Sequence, residues 1–309
     1  MNDSSGIDTL SKNQYRGRFA PSPTGPLHFG SLIAAIASYL EAKTHHGKWF
    51  LRIDDSDYLR EQKNAADTIK RTIELHGFEW DEDVQYQSNS GTQYDKIKNY
   101  LIENKKVFRC NCSRKILKGN KTGLNGVIYT GTCRNKCITN DYSIRIFANQ
   151  LRIKFIDEIQ GLQSSQLDAD IGDFIIWRRD NIISYHLATI IDDNELGITH
   201  IVRGNDLLNS TFCQLYLQDI LNYKNPVYSH IPVVVGKNKQ KLSKQFGAKE
   251  ISNEFNSRNL VDGLLALKQK PPDDLASSSL KDIWAWAIEN WSDKNLKMTK
   301  SVEKPNSEY

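Results

Sequence analysis

The sequence predicts an α/β fold: a Rossmann-like parallel sheet with an inserted cysteine-bearing module and a short helical C-terminal region. Three observations lead there. Residues 16–20, 32–43 and 48–54 run strand, helix, strand, the pattern of a βαβ unit. Four of the five cysteines fall between Cys110 and Cys137, a glycine-rich stretch in which that pattern lapses. Apolar strand and helix patterns then resume near Asp173 and give way after Gly247 to mainly helical sequence, broken by Pro271 and Pro272.

The elements follow in order. Residues 16–20 read as a short strand. Pro21, Pro23, Gly25 and Pro26 then hold the chain out of helix, because proline lacks an N–H and fixes φ, until Ser31 can cap a helix N-terminus. Residues 32–43 repeat apolar side chains at helical spacing, and 48–54 read as a second buried strand. Residues 64–76 and 92–104 are further amphipathic helices. Alternating apolar positions return near 173–177 and 182–191, followed by a helix over 211–221 and an apolar strand over 231–235 that closes the parallel sheet. Trp284, Trp286 and Trp291 are spaced to pack a small terminal helix on the body. The patterns divide the chain into a first half of the sheet domain (1–107), the inserted module (108–140), a second half (141–250), a helical C-terminal region (251–300) and a disordered tail (301–309).

Composition narrows the function classes. A chain of 309 residues can bury one large core or two modest ones. It has no run of eighteen apolar residues and no basic-then-apolar start, so a cytoplasmic protein without a membrane partner is expected. A net charge of +4 excludes a uniformly basic nucleic-acid coat, though not a local patch. Clustered cysteines without an export signal point to a metal site more than to disulfides. Cys213, alone on an apolar helix, is expected in the core. No heptad pattern is visible, and a monomer is expected.

The chemistry-bearing residues sit at the strand ends and in two distant loops. A helix opening from a turn-rich loop presents free N–H groups to an anion. In that loop His28 can donate a hydrogen bond to a phosphate oxygen, and Gly30 has no side chain to keep a nucleotide off the backbone. Taken alone, His28 reads better as a helix cap. A second loop carries Lys237, Lys239, Lys241 and Lys244 after an apolar strand. Alone it could be a solvated surface; paired with the His28 segment it makes the second side of a polyphosphate cradle, the layout of an ATP-dependent adenylate-forming enzyme. Arg18 and Asp54 end adjacent strands at the carboxyl edge, where ligands of α/β folds sit. A guanidinium fork suits a carboxylate and a carboxylate suits an ammonium, which makes Arg18 and Asp54 candidate ligand contacts. Arg203 is a third candidate, with an ordinary ion pair to Asp206 or Asp192 as its alternative use. Cys110, Cys112, Cys133 and Cys137 suffice for a closed tetrahedral zinc site, and chemistry alone makes Cys137 the fourth ligand.

The segment from Pro21 to Ser31 and the run Lys241-Leu-Ser-Lys244 resemble the two signature motifs of class I aminoacyl-tRNA synthetases, in the form typical of the glutamyl and glutaminyl branch. The resemblance extends from Arg16 to about Lys249, with Ser31 where the generic signature has a second histidine. It implies a class I synthetase catalytic domain that binds ATP through His28, Gly30, Lys241 and Lys244, with Mg²⁺ accompanying the ATP. His28, Lys241 and Lys244 are implied as the catalytic residues. Residues 184–188 and 200–206 resemble the family's later substrate-binding segments, so L-glutamate is expected against Arg18, Phe19, Ala20, Pro21, Ser22, Asp54, Tyr185 and Arg203. Asp54 stands where the family carries glutamate, and its shorter side chain must reach through a water or a small shift.

Only about sixty residues follow Lys249, too few for the family's large anticodon-reading helical part. That plan, with Cys-x-Cys followed by Tyr-x-x-x-Cys, resembles a small subfamily that lacks this part and attaches glutamate to the queuosine base at the wobble position of tRNA(Asp). Its pattern implies one structural Zn²⁺ on Cys110, Cys112, Tyr129 and Cys133, leaving Cys137 unassigned. The implied partners are ATP, L-glutamate and tRNA(Asp) bearing queuosine. Two alternatives stay open: a shortened glutamyl-tRNA synthetase that charges a tRNA 3′ end, and a non-catalytic paralogue that binds tRNA or nucleotide.

Overall fold

The computed structural model describes residues 14–236 and 250–305. The first half of the chain supplies β1 (Arg16–Phe19), α1 (Phe29–Thr44), β2 (Lys48–Ile53), α2 (Ala65–Leu75), β3 (Gln85–Tyr86) and α3 (Gly91–Glu103). Next come β4 (Val107–Cys110), α4 (Arg114–Leu117), β5 (Thr122–Gly123), β6 (Gly126–Val127) and β7 (Ser143–Ile146). The second half contains β8 (Arg152–Asp157), β9 (Gly161–Gln166), α5 (Leu167–Asp170), β10 (Ile175–Trp177), α6 (Tyr185–Glu195), β11 (His200–Gly204), α7 (Leu208–Leu221) and β12 (Val227–Ile231). After these lie β13 (Val233–Val235), α8 (Asn256–Ala266), α9 (Leu280–Asn290) and β14 (Ser301–Glu303).

Parallel pairing joins β1 to β2 and β2 to β3, and separately β11 to β12 and β12 to β8, with β9 antiparallel on β8 at the edge. The two groups meet at β1: the Thr199 N–H donates to the Arg16 carbonyl at 3.0 Å, and the Arg16 N–H to Thr199 Oγ1 at 2.9 Å. The strand order therefore runs outward in both directions from the β1–β11 seam. Such a reversal leaves a crevice at the carboxyl ends of the two central strands.

Helices cover both faces. Leu32, Ile33, Ile36 and Leu40 of α1 are fully buried in one apolar cluster with β1, β2, α8 and α9, while α6 and α7 build the other cluster with Leu101 of α3. Trp49 couples β2 to α1 by donating its indole N–H to Ser38 Oγ at 3.0 Å. The C-terminal helix is pinned as the tryptophan spacing predicts: Trp284 stacks edge-on against Tyr39 and Phe78 at 4.7 and 4.8 Å and donates to the His76 carbonyl. Trp291 donates to Glu41 at 2.7 Å. Each aromatic pair adds roughly 0.5–1.5 kcal/mol beyond its area burial.

Several expectations shift. The N-cap of α1 is His28 rather than Ser31; His28 Nδ1 accepts from the Ser31 N–H at 3.3 Å, so the imidazole does what the serine hydroxyl was expected to do. Residues 182–191 do not continue as alternating strand. Beyond Ile183 the buried apolar residues are Leu187, Ala188, Ile190 and Ile191, a helical spacing, and α6 forms there. The apolar run 231–235 divides at Pro232, which cannot donate to a ladder: β12 stays in the main sheet and β13 leaves it. The expected disordered tail is ordered at its start, because Ser301–Glu303 pairs in parallel with β13; residues 306–309 lie outside the described residues. The expected start of the inserted module, residue 108, falls inside β4, which joins β7 and β10 in an antiparallel sheet. Cys213 is fully buried, as expected. Among the described residues no helix is long and apolar enough to cross a membrane.

Candidate active site and metal centre

A cavity of about 230 Å³ opens at the β1–β11 seam. Arg18, Phe19, Ala20 and Pro21 enter it from the end of β1, His28 and Gly30 from the start of α1, Arg203 from β11 and Tyr185 from the start of α6. Eight of the residues singled out in the sequence thus converge, although their positions span 186 residues from Arg18 to Arg203. Lys241 and Lys244 lie outside the described residues. The chain on either side of them is tied to the same rim: Val233 and Val234 line the cavity, Glu250 bridges to His28, and the Ile251 N–H donates to the Leu27 carbonyl at 3.2 Å.

His28 is both a cap and a wall. Its ring contacts the Ser31 N–H and Ser31 Oγ, at 3.3 and 3.1 Å, while the residue faces the cavity. Helix capping and a site role, opposed in the sequence, are compatible here. The first turn of α1, a sixteen-residue helix, contributes its N-terminal amides to the same rim.

Arg203 is not in an ordinary ion pair. Among the described residues no carboxylate lies within salt-bridge distance of it, and neither Asp206 nor Asp192 is its partner; Asp192 instead accepts from Gln87 and Tyr94. Its guanidinium, 5% exposed, donates to neutral acceptors: Nε to His230 Nε2 at 3.0 Å, Nη1 to Tyr185 Oη at 3.2 Å, and Nη2 to Thr211 Oγ1 at 2.8 Å and Gln214 Oε1 at 2.6 Å. A guanidinium has five N–H groups. These bonds account for four, and the fifth is on Nη1, the nitrogen beside Tyr185. A buried cation whose partners among the described residues are all neutral favours an anionic ligand.

Arg18 and Asp54 are tied into one buried chain of charge. Arg18 donates to both oxygens of Asp193, at 3.1 and 3.4 Å; Arg52 donates to Asp193 at 2.7 Å and to Asp54 at 2.7 Å. Sequence reasoning missed Arg52 and Asp193. The signal for Asp193 was an acidic pair, Asp192 and Asp193, directly after an apolar helical run. Burial disfavours ionisation of Asp193, but Arg18 and Arg52 outweigh it and hold its carboxyl below the usual range. Asp54 goes the other way: burial, with Asp192 and Asp193 adding repulsion, pushes it up to about 6 against the pull of Arg52.

Asp54 and Ser22 do not face the first cavity. They line a larger neighbouring one of about 750 Å³, between the sheet and the module, with Tyr185 as the wall common to both. His186 lines this second space too, and burial, reinforced by Arg203, lowers its ring to about 4, which keeps it neutral.

The module gathers thiols. The Sγ atoms of Cys110, Cys112 and Cys133 all lie within 4.8 Å of one another. The Tyr129 hydroxyl stands 3.7 Å from Cys112 Sγ and accepts from the Cys133 N–H at 2.8 Å, whereas Cys137 is exposed and outside the cluster. Gly172 sets Tyr129 in place: it has φ of +74°, bridges to Tyr129, and a Cβ there would come within 3.0 Å of the Tyr129 backbone. Burial raises the Cys110 thiol, but hydrogen bonds from Tyr129, the Cys112 backbone and Arg145 outweigh it and bring it down to about 7. Three thiols with a phenol at this spacing fit a tetrahedral soft-metal site. Arg134, beside Cys133, clasps the module to the body through both oxygens of Asp173, at 2.7 and 2.6 Å.

A cleft at the switch point of a parallel sheet, with His28 and the start of α1 on one wall and a buried cation set for a carboxylate on the other, has the layout of an α/β adenylate-forming enzyme. Residues 14–259 match the family model of class I tRNA synthetases for glutamate and glutamine, catalytic domain. The glutamyl-Q tRNA(Asp) synthetase of Chromobacterium violaceum is 44% identical over 286 residues, covering 92% of this chain and 95% of that protein. That of Pseudomonas fluorescens is 41% identical over 291 residues, covering 94% and 96%. A glutamate tRNA ligase from Elizabethkingia meningosepticum, solved with its amino acid, shares the fold with a TM-score of 0.77 at 22% identity, covering 94% of this chain and 67% of that one. The chain belongs to the class I tRNA synthetases of the glutamate and glutamine type and, within them, to the glutamyl-Q tRNA(Asp) synthetase family.

Proposed function

We propose that this protein activates L-glutamate with ATP, without tRNA, and transfers the glutamyl group to the queuosine base at the wobble position of tRNA(Asp). The single observation that carries the reading is the meeting of Arg18, His28, Tyr185 and Arg203 around one cavity at the β1–β11 seam. Arg203 and Tyr185 take one carboxylate of glutamate. Phe19, Ala20, Pro21 and Ser22 shape the path along the loop, and Arg18 completes the cationic wall. Asp54, on the far side of Tyr185, serves the ammonium.

The α-carboxylate oxygen attacks the α-phosphorus of ATP, and pyrophosphate leaves with the electron pair of the broken P–O bond. His28 donates to phosphate oxygen as charge builds, next to the amides of α1 and Gly30, whose lack of a side chain admits the nucleotide. Lys241 and Lys244, outside the described residues, act on the same charge. Mg²⁺ accompanies the ATP. A hydroxyl of the queuosine cyclopentenediol then attacks the mixed anhydride and AMP departs. A Zn²⁺ on Cys110, Cys112, Tyr129 and Cys133 pins the module of residues 108–140 without activating water. The protein acts as a cytoplasmic monomer.

Glutamate-dependent exchange of pyrophosphate into ATP, run without tRNA, tests the first step; the expected outcome is exchange. Its absence would favour a nucleotide- or tRNA-binding paralogue. Labelled glutamate should then appear on tRNA(Asp) at a site destroyed by prior periodate treatment of queuosine. Label on a 3′ end instead would assign a shortened glutamyl-tRNA synthetase.

A further inference from the structure

We infer that His230 and Asp157 are positioning residues for Arg203: together they fix one imidazole tautomer whose lone pair holds the guanidinium fork toward the amino-acid carboxylate. The inference deepens the reading above and rests on Arg203 being the carboxylate anchor. Neither residue lines the cavity, and both side chains are fully buried.

The tautomer follows from donor arithmetic. Arg203 Nε carries only a hydrogen to give, so His230 Nε2, 3.0 Å away, must accept. The ring proton is then on Nδ1, which donates to Asp157 Oδ2 at 2.5 Å. Asp157 is itself tied to the backbone: its Oδ1 accepts from the Ile159, Gln160 and His230 N–H groups at 3.1, 2.8 and 3.1 Å. Burial, reinforced by the Arg203 charge, lowers the His230 ring to about 4 despite the carboxylate, so the ring stays neutral. A protonated ring would present a second donor to Arg203 and break the contact. The carboxylate thus lies one residue behind the guanidinium rather than against it, leaving the Nη1 edge for substrate. The arrangement spans β8, β12 and β11, which are adjacent in the sheet. It has the logic of a buried carboxylate that selects a histidine tautomer in an active site.

Four variants test it by glutamate-dependent pyrophosphate exchange, with melting temperature measured beside each. His230→Asn keeps a donor for Asp157 but removes the acceptor for Arg203; the KM for glutamate should rise about tenfold or more, with kcat much less affected. His230→Gln, whose carbonyl overlays Nε2, should recover most of that loss. Asp157→Asn offers the ring a donor, forces the proton to Nε2 against Arg203 Nε–H, and should raise KM at least as much as His230→Asn. In Asp157→Asn/His230→Gln the ring is gone, and KM should fall back toward that of His230→Gln. Equal KM for the Asn and Gln variants at position 230, or a kcat loss with KM unchanged, would overturn the positioning role. A wild type that shows no exchange would instead overturn the functional reading. In that event ¹⁵N NMR of the wild-type histidines still decides the tautomer: a ring protonated on Nδ1 supports the inference, and one protonated on Nε2 sinks it.

Discussion

The seam cavity and the cysteine module hold their functional side chains by opposite means. At the seam, Arg18, Arg52, Asp193 and Asp54 lock one another through hydrogen bonds of 2.7–3.4 Å contributed by β1, β2 and α6, deep in the two main apolar clusters. In the module, Phe108, Cys110, Tyr129 and Cys133 form a core of only four buried side chains, and α4 buries none of its residues. A region with that little apolar burial leans on other ties, here the Arg134–Asp173 clasp and the pairing of β4 with β7, and a metal on the thiols would add a further one. The seam is therefore expected to survive loss of single functional groups with its fold intact, and the module is expected not to.

The sharpest way to break this contrast is at the phosphate end of the seam. His28→Ala, and separately Lys241→Ala, should lower the exchange rate by roughly two to three orders of magnitude, with secondary structure by circular dichroism unchanged; collapse of the fold would refute the claim that the seam is self-supporting. Next in size, Arg203→Ala should raise the KM for glutamate by about thirtyfold or more, the scale of a lost charged hydrogen-bond pair, again with native secondary structure.

The module should respond in the reverse way. Cys112→Ser is expected to lose bound zinc by elemental analysis and to expose residues 108–140 to limited proteolysis, while tRNA-independent exchange falls far less than in the His28 variant. Tyr129→Phe should weaken zinc by about ten- to a hundredfold and Cys137→Ser should leave it bound. Full retention in the first with loss in the second would restore the four-thiolate site that cysteine chemistry by itself suggests.

The smallest effect concerns pH. A carboxyl held at about 6 is ionised above that pH and neutral below it. If ionised Asp54 receives the ammonium, the KM for glutamate should rise about fourfold between pH 7.5 and 5.5, and Asp54→Asn should abolish the dependence. The stability sign is the reverse. A folded-state value above the unfolded one of about 3.9 stabilises fully below the unfolded pKa, and that contribution disappears as pH rises through about 6.

Much of the site was legible because its parts are local. Proline and glycine in the loop before α1, strand-end residues such as Arg18 and Asp54, and the spacing of Cys110, Cys112 and Cys133 all carry signals readable over a few positions. The resemblance supplied Tyr185 and Tyr129, which periodicity alone would leave as ordinary aromatics. The misreadings were of two kinds. Residues 182–191 read as alternating because two adjoining patterns were averaged, and the tail read as disordered because its strand partner, β13, lies some seventy residues earlier in the chain.

By itself, then, the sequence determined the α/β class, the loop that opens α1, the candidate anchors and the thiol cluster, since each depends on residue type and short-range spacing. Only the tertiary structure decided that Arg203 meets neutral groups rather than Asp206 or Asp192, that Arg18 and Asp54 are linked through Arg52 and Asp193, and that Asp54 looks into a second space beyond Tyr185. The reason is physical: which partner a buried charge finds depends on what the folded chain brings within about 3 Å, and on how much water burial removes, and neither quantity is written in sequence distance.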